Sequence, residues 1–306
     1  MKTKEENIVN IGKMKVIQFT IPVAKDNSIH VQEDDLPHFY EHLHRHYETQ
    51  ITWVISGEGT LIVGNDMQPF SSGDIFVIGA NQPHLFKSDA SYFDRRRNKR
   101  IHSLNIFFNP KGFITSLLEF PEMRSIRKFI DVSKHGMQAS ENNSKIISDY
   151  MLKVRNNTTG YRLSAFIELL QLMANLKEWK YLSAESFEYT ISDSEGLRMN
   201  DIYQYTMSNY TEDISLEQIA AVVHLTPQSF CRYFKKHTLK TYTNFLNEVR
   251  INEACKRLTS KDFESISTIA YQMGFNNVVT FNRVFKSIMK KSPREFMKAY
   301  TEKIEQ

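Results

Sequence analysis

The chain has 306 residues, 41% of them hydrophobic, and a formal net charge of +4 at pH 7. That length exceeds a usual single domain, and the apolar content can furnish two cores. No stretch approaches the roughly 18 apolar residues of a membrane span, and Cys231 and Cys255 are the only cysteines, which excludes a disulfide framework and a cysteine zinc site and points to a reducing cytoplasm.

The first residues, MKTKEENIVNIGKMKVIQF, lack the unbroken apolar core of a signal peptide. QITWVISGEGTLIVGN, SSGDIFVIGANQPHLF and IHSLNIFF then read as short β-rich runs separated by glycine-containing turns, the pattern of a small antiparallel barrel. Seven of the ten histidines fall at or before His102. His44-x-His46, followed by Gln50 and Gly57, makes one motif, and Gly73 with Pro83-His84 makes a second.

These motifs resemble those of a cupin-like effector domain. In metal-binding cupins the first motif supplies two histidines and a glutamate, and the second supplies another histidine. Gln50 stands at the glutamate position here, and a neutral amide is a poor transition-metal ligand beside imidazoles. The register His42-x-His44 with Glu48 restores a carboxylate but lengthens the gap to Gly57. His44, His46 and His84 alone still offer a three-histidine site; the favoured reading has them lining a pocket or hydrogen-bonded in the barrel wall, with no resident metal or cofactor. His44, His46, Gln50, Trp53 and His84 are therefore the candidate ligand-binding set, with Trp53 as an aromatic group at the barrel mouth. A tryptophan on a strand also reads simply as core.

Arg95-Arg96-Arg97-Asn98-Lys99-Arg100 reads as a solvated loop before the strand IHSLNIFF. SKIISDYMLKVRN and YRLSAFIELLQLMANLKEWKYL are expected to be helical, with apolar spacing at Leu163, Phe166, Ile167, Leu170, Met173 and Leu176. Residues 183–195, polar and acidic, mark a linker.

Beyond the linker the chain says nearly the same thing twice. IAAVVHLTPQSFCRYFKK from Ile219 aligns with IAYQMGFNNVVTFNRVFKS from Ile269, and Thr241-Tyr242-x-x-Phe245 echoes Ser292-Pro293-x-x-Phe296. Each copy predicts helix, tight turn, helix, at about 215–237 and 265–287. Ser215 with Gln218 forms a capping box, Thr226-Pro227 opens the second helix of the first copy, Ser265 can cap the next supporting helix, and Gly274 stands where a positive φ is needed. Phe230 with Phe234, and Phe281 with Phe285, share one buried face. The opposite face carries Gln228, Ser229, Cys231, Arg232 and Lys235 in the first copy, and Asn276, Asn277, Val278, Val279, Asn282, Arg283 and Lys286 in the second. Arginine forks onto guanine, asparagine and glutamine onto adenine, and valine methyls touch thymine methyls, while lysines at the helix ends suit phosphates. A lone arginine there would read as solvated surface; the same residue at the same repeat position twice favours base reading. Between the copies, Thr241 to Leu258 reads as one amphipathic helix. Its length of roughly 27 Å is near the roughly 34 Å between major-groove faces one turn apart. Residues 196–306 hold 16 Lys+Arg against 11 Asp+Glu, leaving 23 against 24 for the rest, so the charge that attracts phosphate sits with the repeat.

On IAYQMGF, Phe281 to Lys286 and KKSPREF, the region from Gly196 to near Tyr300 resembles the DNA-binding domain of AraC/XylS-type transcription regulators. Two departures stand out: Leu239-Lys240 replaces the glycine usual before the Thr-Pro of the first copy, and Val278-Val279 sits where some relatives carry polar base readers. The expected architecture is a two-domain α+β chain: residues 1–182 a cupin-like β-barrel with packed helices, 183–195 a linker, and 196–306 an all-α domain with two helix-turn-helix motifs. The resemblance implies a non-enzymatic regulator whose partners are double-stranded promoter DNA, a small-molecule effector and RNA polymerase. It also implies helices packed on the barrel that often form a homodimer contact; a monomeric core helix reads the same periodicity equally well. The alternative is a metal-dependent cupin enzyme or metal sensor fused to a DNA-binding module.

Overall fold

A computed structural model describes residues 10–11, 14–15, 18–21, 23, 27–183, 191–260 and 264–304. The chain divides into two compact units, Met1–Leu197 and Arg198–Gln306. Most of the expected linker, residues 184–190, lies outside the described residues.

In the first unit, β1 (Asn10–Ile11) pairs with β2 (Met14–Lys15). There follow β3 (Ile29–Leu36), β4 (Thr49–Ser56), β5 (Gly59–Val63), β6 (Asp66–Phe70), β7 (Ile75–Ile78), β8 (His84–Ser88), β9 (Ile101–Phe108), β10 (Met137–Ala139) and β11 (Trp179–Tyr181). They build a six-stranded antiparallel sheet ordered β11-β10-β7-β4-β9-β3 and a three-stranded sheet ordered β6-β5-β8. The expected cupin-like β domain is present, but its ladder stays open among the described residues. The two sheets meet through side chains, and a backbone bridge from His44 to His84 ties the segment between β3 and β4 to the start of β8.

Strand alternation decides what each face does. Val54, Leu61, Val63, Phe70, Phe76, Phe86 and Ile101 form one core between the two sheets. The other face of the large sheet, with Ile51, Ile75, Leu104 and Ile106, is covered by α2 (Arg124–Val132), α3 (Glu141–Asn156) and α4 (Thr159–Asn175), which follow the single turn α1 (Thr115–Leu118). The helix expected to run through KEWKYL stops at Asn175, and Trp179–Tyr181 instead adds an edge strand to β10. Leu176 is already extended, and Trp-Lys-Tyr suits a pleated edge better than a helix end.

The second unit is helical. α5 (Asp193–Asn209) starts three residues before Gly196, where the repeat domain was expected to begin, and its residues up to Leu197 belong to the first unit; α6 (Leu216–Val222), α7 (Pro227–Thr238), α8 (Tyr242–Leu258), α9 (Ile266–Gln272), α10 (Val278–Met289) and α11 (Pro293–Ile304) follow. The four-residue aromatic spacing buries Phe230, Phe234, Phe281 and Phe285 completely. Phe234 packs against Tyr242 and Phe245 of α8, and Phe285 against Phe296 of α11, the same contact made twice.

Candidate nucleic-acid interface and effector site

The two helix-turn-helix units are built by their caps. Ser215 Oγ accepts from Gln218 N–H while Gln218 Oε1 accepts from Ser215 N–H, the reciprocal box the sequence predicts. Thr226 Oγ1 caps α7, Ser265 Oγ caps α9 and Asn277 Oδ1 caps α10, the last at 2.7 Å from Thr280 N. α7 and α10 are each twelve residues long, and each ends on a left-handed residue, Leu239 or Lys290. Gly274 turns at φ +79°, and His224 holds the matching position of the first copy at φ +55°.

With the phenylalanines inside, Gln228, Cys231, Arg232 and Lys235 stand exposed on α7, and Asn276, Asn277, Val279, Asn282, Arg283 and Lys286 stand exposed at or on α10. Three candidates differ from expectation. Val278 packs on the helical core beside Phe281 rather than facing out, since one residue per turn near the phenylalanine stripe must close it. Asn277 spends its carbonyl on the helix cap, leaving its amide N–H groups outward. Ser229 is half-buried, and its Oγ accepts from Arg232 Nη2 at 3.3 Å, so it steadies the arginine. Val279, 78% exposed, is the outward apolar group.

Arg250 of α8 was not foreseen as a key residue. Only 8% exposed, it donates from Nε to Tyr210 O at 2.7 Å and from Nη2 to Glu212 O at 2.8 Å, while its guanidinium lies 5.6 Å from the Phe275 ring. It ties the end of α5 to the turn of the second unit. Periodicity shows only an arginine on a mostly buried helix, and its partners are set by tertiary packing.

In the first unit His44, His46 and His84 do come together: all are buried, with one ligating atom from each within 4.8 Å of the others. Each ring is anchored at Nδ1 to a backbone carbonyl, of His42, Glu48 and Gln82 respectively, at 2.8 to 2.9 Å. Such anchoring turns Nε2 inward, as a metal-binding imidazole requires. His46 departs from that arrangement. Buried Asp34 accepts from the Asn105 amide, Asn105 Oδ1 accepts from Thr52 Oγ1 and Gln50 Nε2, and Gln50 Oε1 lies 2.9 Å from His46 Nε2. This relay, anchored on the Asp34 carboxylate, engages His46 Nε2 through Gln50, and a metal ion held by the three histidines would have to displace that amide.

Trp53, placed in the same set by sequence, is not there. Gln50 and Thr52 face the relay, so the odd position between Thr52 and Val54 must face the other way, and Trp53 packs on the helix-covered core. The basic run is surface: Arg96 pairs with Asp94, Lys99 with Glu58 and Arg100 with Asp35.

Beside the relay lies a cavity of about 730 Å³, lined by the start of β3, the end of β9, Tyr47 and Glu48, Phe113, residues 18–20 and the first turn of α5. Arg45, between the two motif histidines, points away from them; it donates to Ile191 O at 2.7 Å and to Asp193 Oδ1 at 3.0 Å. Gly196 abuts the Phe19 ring so closely that a Cβ would stand 2.2 Å from it. Burial raises the Glu48 carboxyl above its ordinary value and lowers His30 below its own.

Against known proteins, the helix-turn-helix domain family matches residues 219–299 and the cupin domain family residues 31–91. The HTH-type transcriptional activator RhaS of Pectobacterium carotovorum subsp. carotovorum is 24% identical over 262 residues, covering 84% of this chain and 86% of that protein. The HTH-type regulator YdeC of Bacillus subtilis is 23% identical over 270 residues, covering 85% and 87%. An HTH-type regulator from the cgkA 5' region of Pseudoalteromonas carrageenovora is 32% identical over 127 residues, covering 40% of this chain and 75% of that one. Among solved structures, ToxT from Vibrio cholerae is similar over 89% of this chain and 98% of its own, at 17% identity and a TM-score of 0.34. A cupin-like domain followed by paired helix-turn-helix units defines a DNA-binding transcription regulator. The chain belongs to the AraC/XylS family of such regulators. Among the described residues no helix is long and apolar enough to cross a membrane.

Proposed function

We propose that this regulator reads promoter DNA with α7 and α10 placed in successive major-groove segments, and that a small-molecule effector bound in the first unit changes how those helices are presented. One observation carries the reading: two helices of equal length, each capped by its N-cap side chain and ended on a left-handed residue, bear an exposed arginine at the same repeat position, Arg232 and Arg283. Gln228, Cys231, Asn276, Asn282 and Val279 supply further base contacts, and Lys235 and Lys286 hold phosphates. α8, seventeen residues long, is a spacer of about 26 Å.

We read the regulator as cytoplasmic and non-enzymatic, acting with RNA polymerase, its barrel-packed helices forming either a homodimer contact or the core of a monomer. The relatives are transcription regulators, and the relay that engages His46 through Gln50 speaks against the metal-enzyme alternative. Mapping bound promoters in cells, followed by titration of one such promoter with purified protein, tests the proposal. Specific binding at a few sites is expected; uniform binding to random DNA would reject sequence reading. Metal analysis of the purified protein addresses the alternative: stoichiometric metal lost on His44→Ala and His46→Ala would establish it.

A further inference from the structure

The cavity beside the relay has a chemistry of its own. Its wall carries two carboxylates, Glu48 and Asp193, one imidazole, His30, and no lysine or arginine among the described residues. The Asp193 charge is met by Arg45. Glu48 is different: its Oε2 is buried and accepts no hydrogen bond among the described groups. His46 Nδ1 lies 4.0 Å away and is turned onto the Glu48 carbonyl oxygen. A buried carboxylate oxygen left without a donor is costly, and a donor in the cavity that the partly exposed Glu48 side chain turns to meet would offset that cost. The same wall presents Tyr47, 56% exposed, and Phe113, 75% exposed. Aromatic faces attract a cation by their quadrupole. Burial lowers the His30 pKa and so disfavours an opposing charge there. The volume, about 730 Å³, falls within the range of small-molecule sites.

We propose that this cavity binds an organic ammonium ion with an apolar body, its N–H groups donating to Glu48 and its charge resting against the rings of Tyr47 and Phe113. The proposal rests on the effector-responsive reading only in so far as this ligand is the effector. It moves the ligand from the histidine wall to the neighbouring space, with Asp193 at the head of α5 as part of the lining.

Calorimetric titration of the full chain with phenethylammonium, 2-phenylethanol and phenylacetate tests it, since the three share a ring and differ in charge. The ammonium is expected to bind at least about tenfold more tightly than either of the others, as a charge-assisted hydrogen bond implies. Glu48→Gln, which keeps size and shape, should erase that preference, and Phe113→Ala should weaken the ammonium severalfold. No measurable binding of phenethylammonium, equal affinity for all three probes, or an unchanged preference in Glu48→Gln would overturn the proposal. The preference in the unaltered protein needs no variant to fold. Titrating promoter DNA with and without phenethylammonium then separates the two claims: ammonium binding with unchanged DNA affinity keeps the site and rejects its effector role.

Discussion

Leu239 and His224 hold left-handed backbone, at φ 59° and 55°, without being glycine. For an L-residue that conformation costs about 1 to 2 kcal/mol, partly offset because glycine has more unfolded-state freedom to lose. Both side chains are exposed, so little packing is lost on removing them. His224→Gly and Leu239→Gly should therefore each stabilise the DNA-binding unit by up to about 1 kcal/mol, seen as a rise in the urea midpoint at constant slope. The converse holds at Gly274, where an added Cβ would meet Thr211 O at 2.7 Å and Tyr210 O at 2.9 Å. Gly274→Ala should lower the same midpoint. At the DNA surface, Arg232→Ala and Arg283→Ala should each cost about 1 to 3 kcal/mol at the operator and relax preference at separate base positions, about ten base pairs apart. Equal losses on specific and random DNA would make them phosphate contacts.

At the scale of elements, the helical repeat depends on what holds the turns. Arg250 leaves water, and burial lowers its pKa, yet its donors are matched by two carbonyls at the end of α5 and in the loop beyond it. Charge-assisted bonds of this kind carry about 1.5 to 3 kcal/mol each. Arg250→Met keeps most of the volume and removes both bonds, so a loss of about 3 kcal/mol in unfolding free energy is expected. A loss below about 1 kcal/mol would mean that residues 210–212 are held by other contacts. Ser215→Ala, which opens one capping box, should cost only about 1 kcal/mol, and the difference ranks tertiary anchoring above local capping in this unit.

At the scale of the molecule, charge is divided between the units: residues 196–306 carry 16 basic against 11 acidic side chains. A fragment of those residues should fold around its own helical core and bind DNA with a steep fall in affinity as salt rises, because counterion release drives such binding. A folded fragment silent on all DNA would reject the leading reading. Linkage constrains the full chain further. Whatever factor an effector applies to DNA affinity, DNA must apply to effector affinity, typically 5- to 150-fold. Matching calorimetric titrations with and without promoter DNA measure both sides.

The amino-acid order by itself determined the paired helix-turn-helix units, their caps, the left-handed turn at Gly274, the spacer helix and the strands around IHSLNIFF. Each of these rests on period, propensity or a cap within a few residues, and such interactions are local. The meeting of His44, His46 and His84 was legible as well, through motif resemblance. Only the tertiary structure decided which way Trp53 faces, because a one-residue step along β4 exchanges the two sides of the sheet. It also decided that Val278 closes the core, that Trp179–Tyr181 pairs as a strand, that Arg250 ties residues 210–212, and that Glu48 and Phe113 share a cavity wall. These outcomes join residues far apart in the chain, and what each side chain meets there is set by packing and register, which no local pattern encodes.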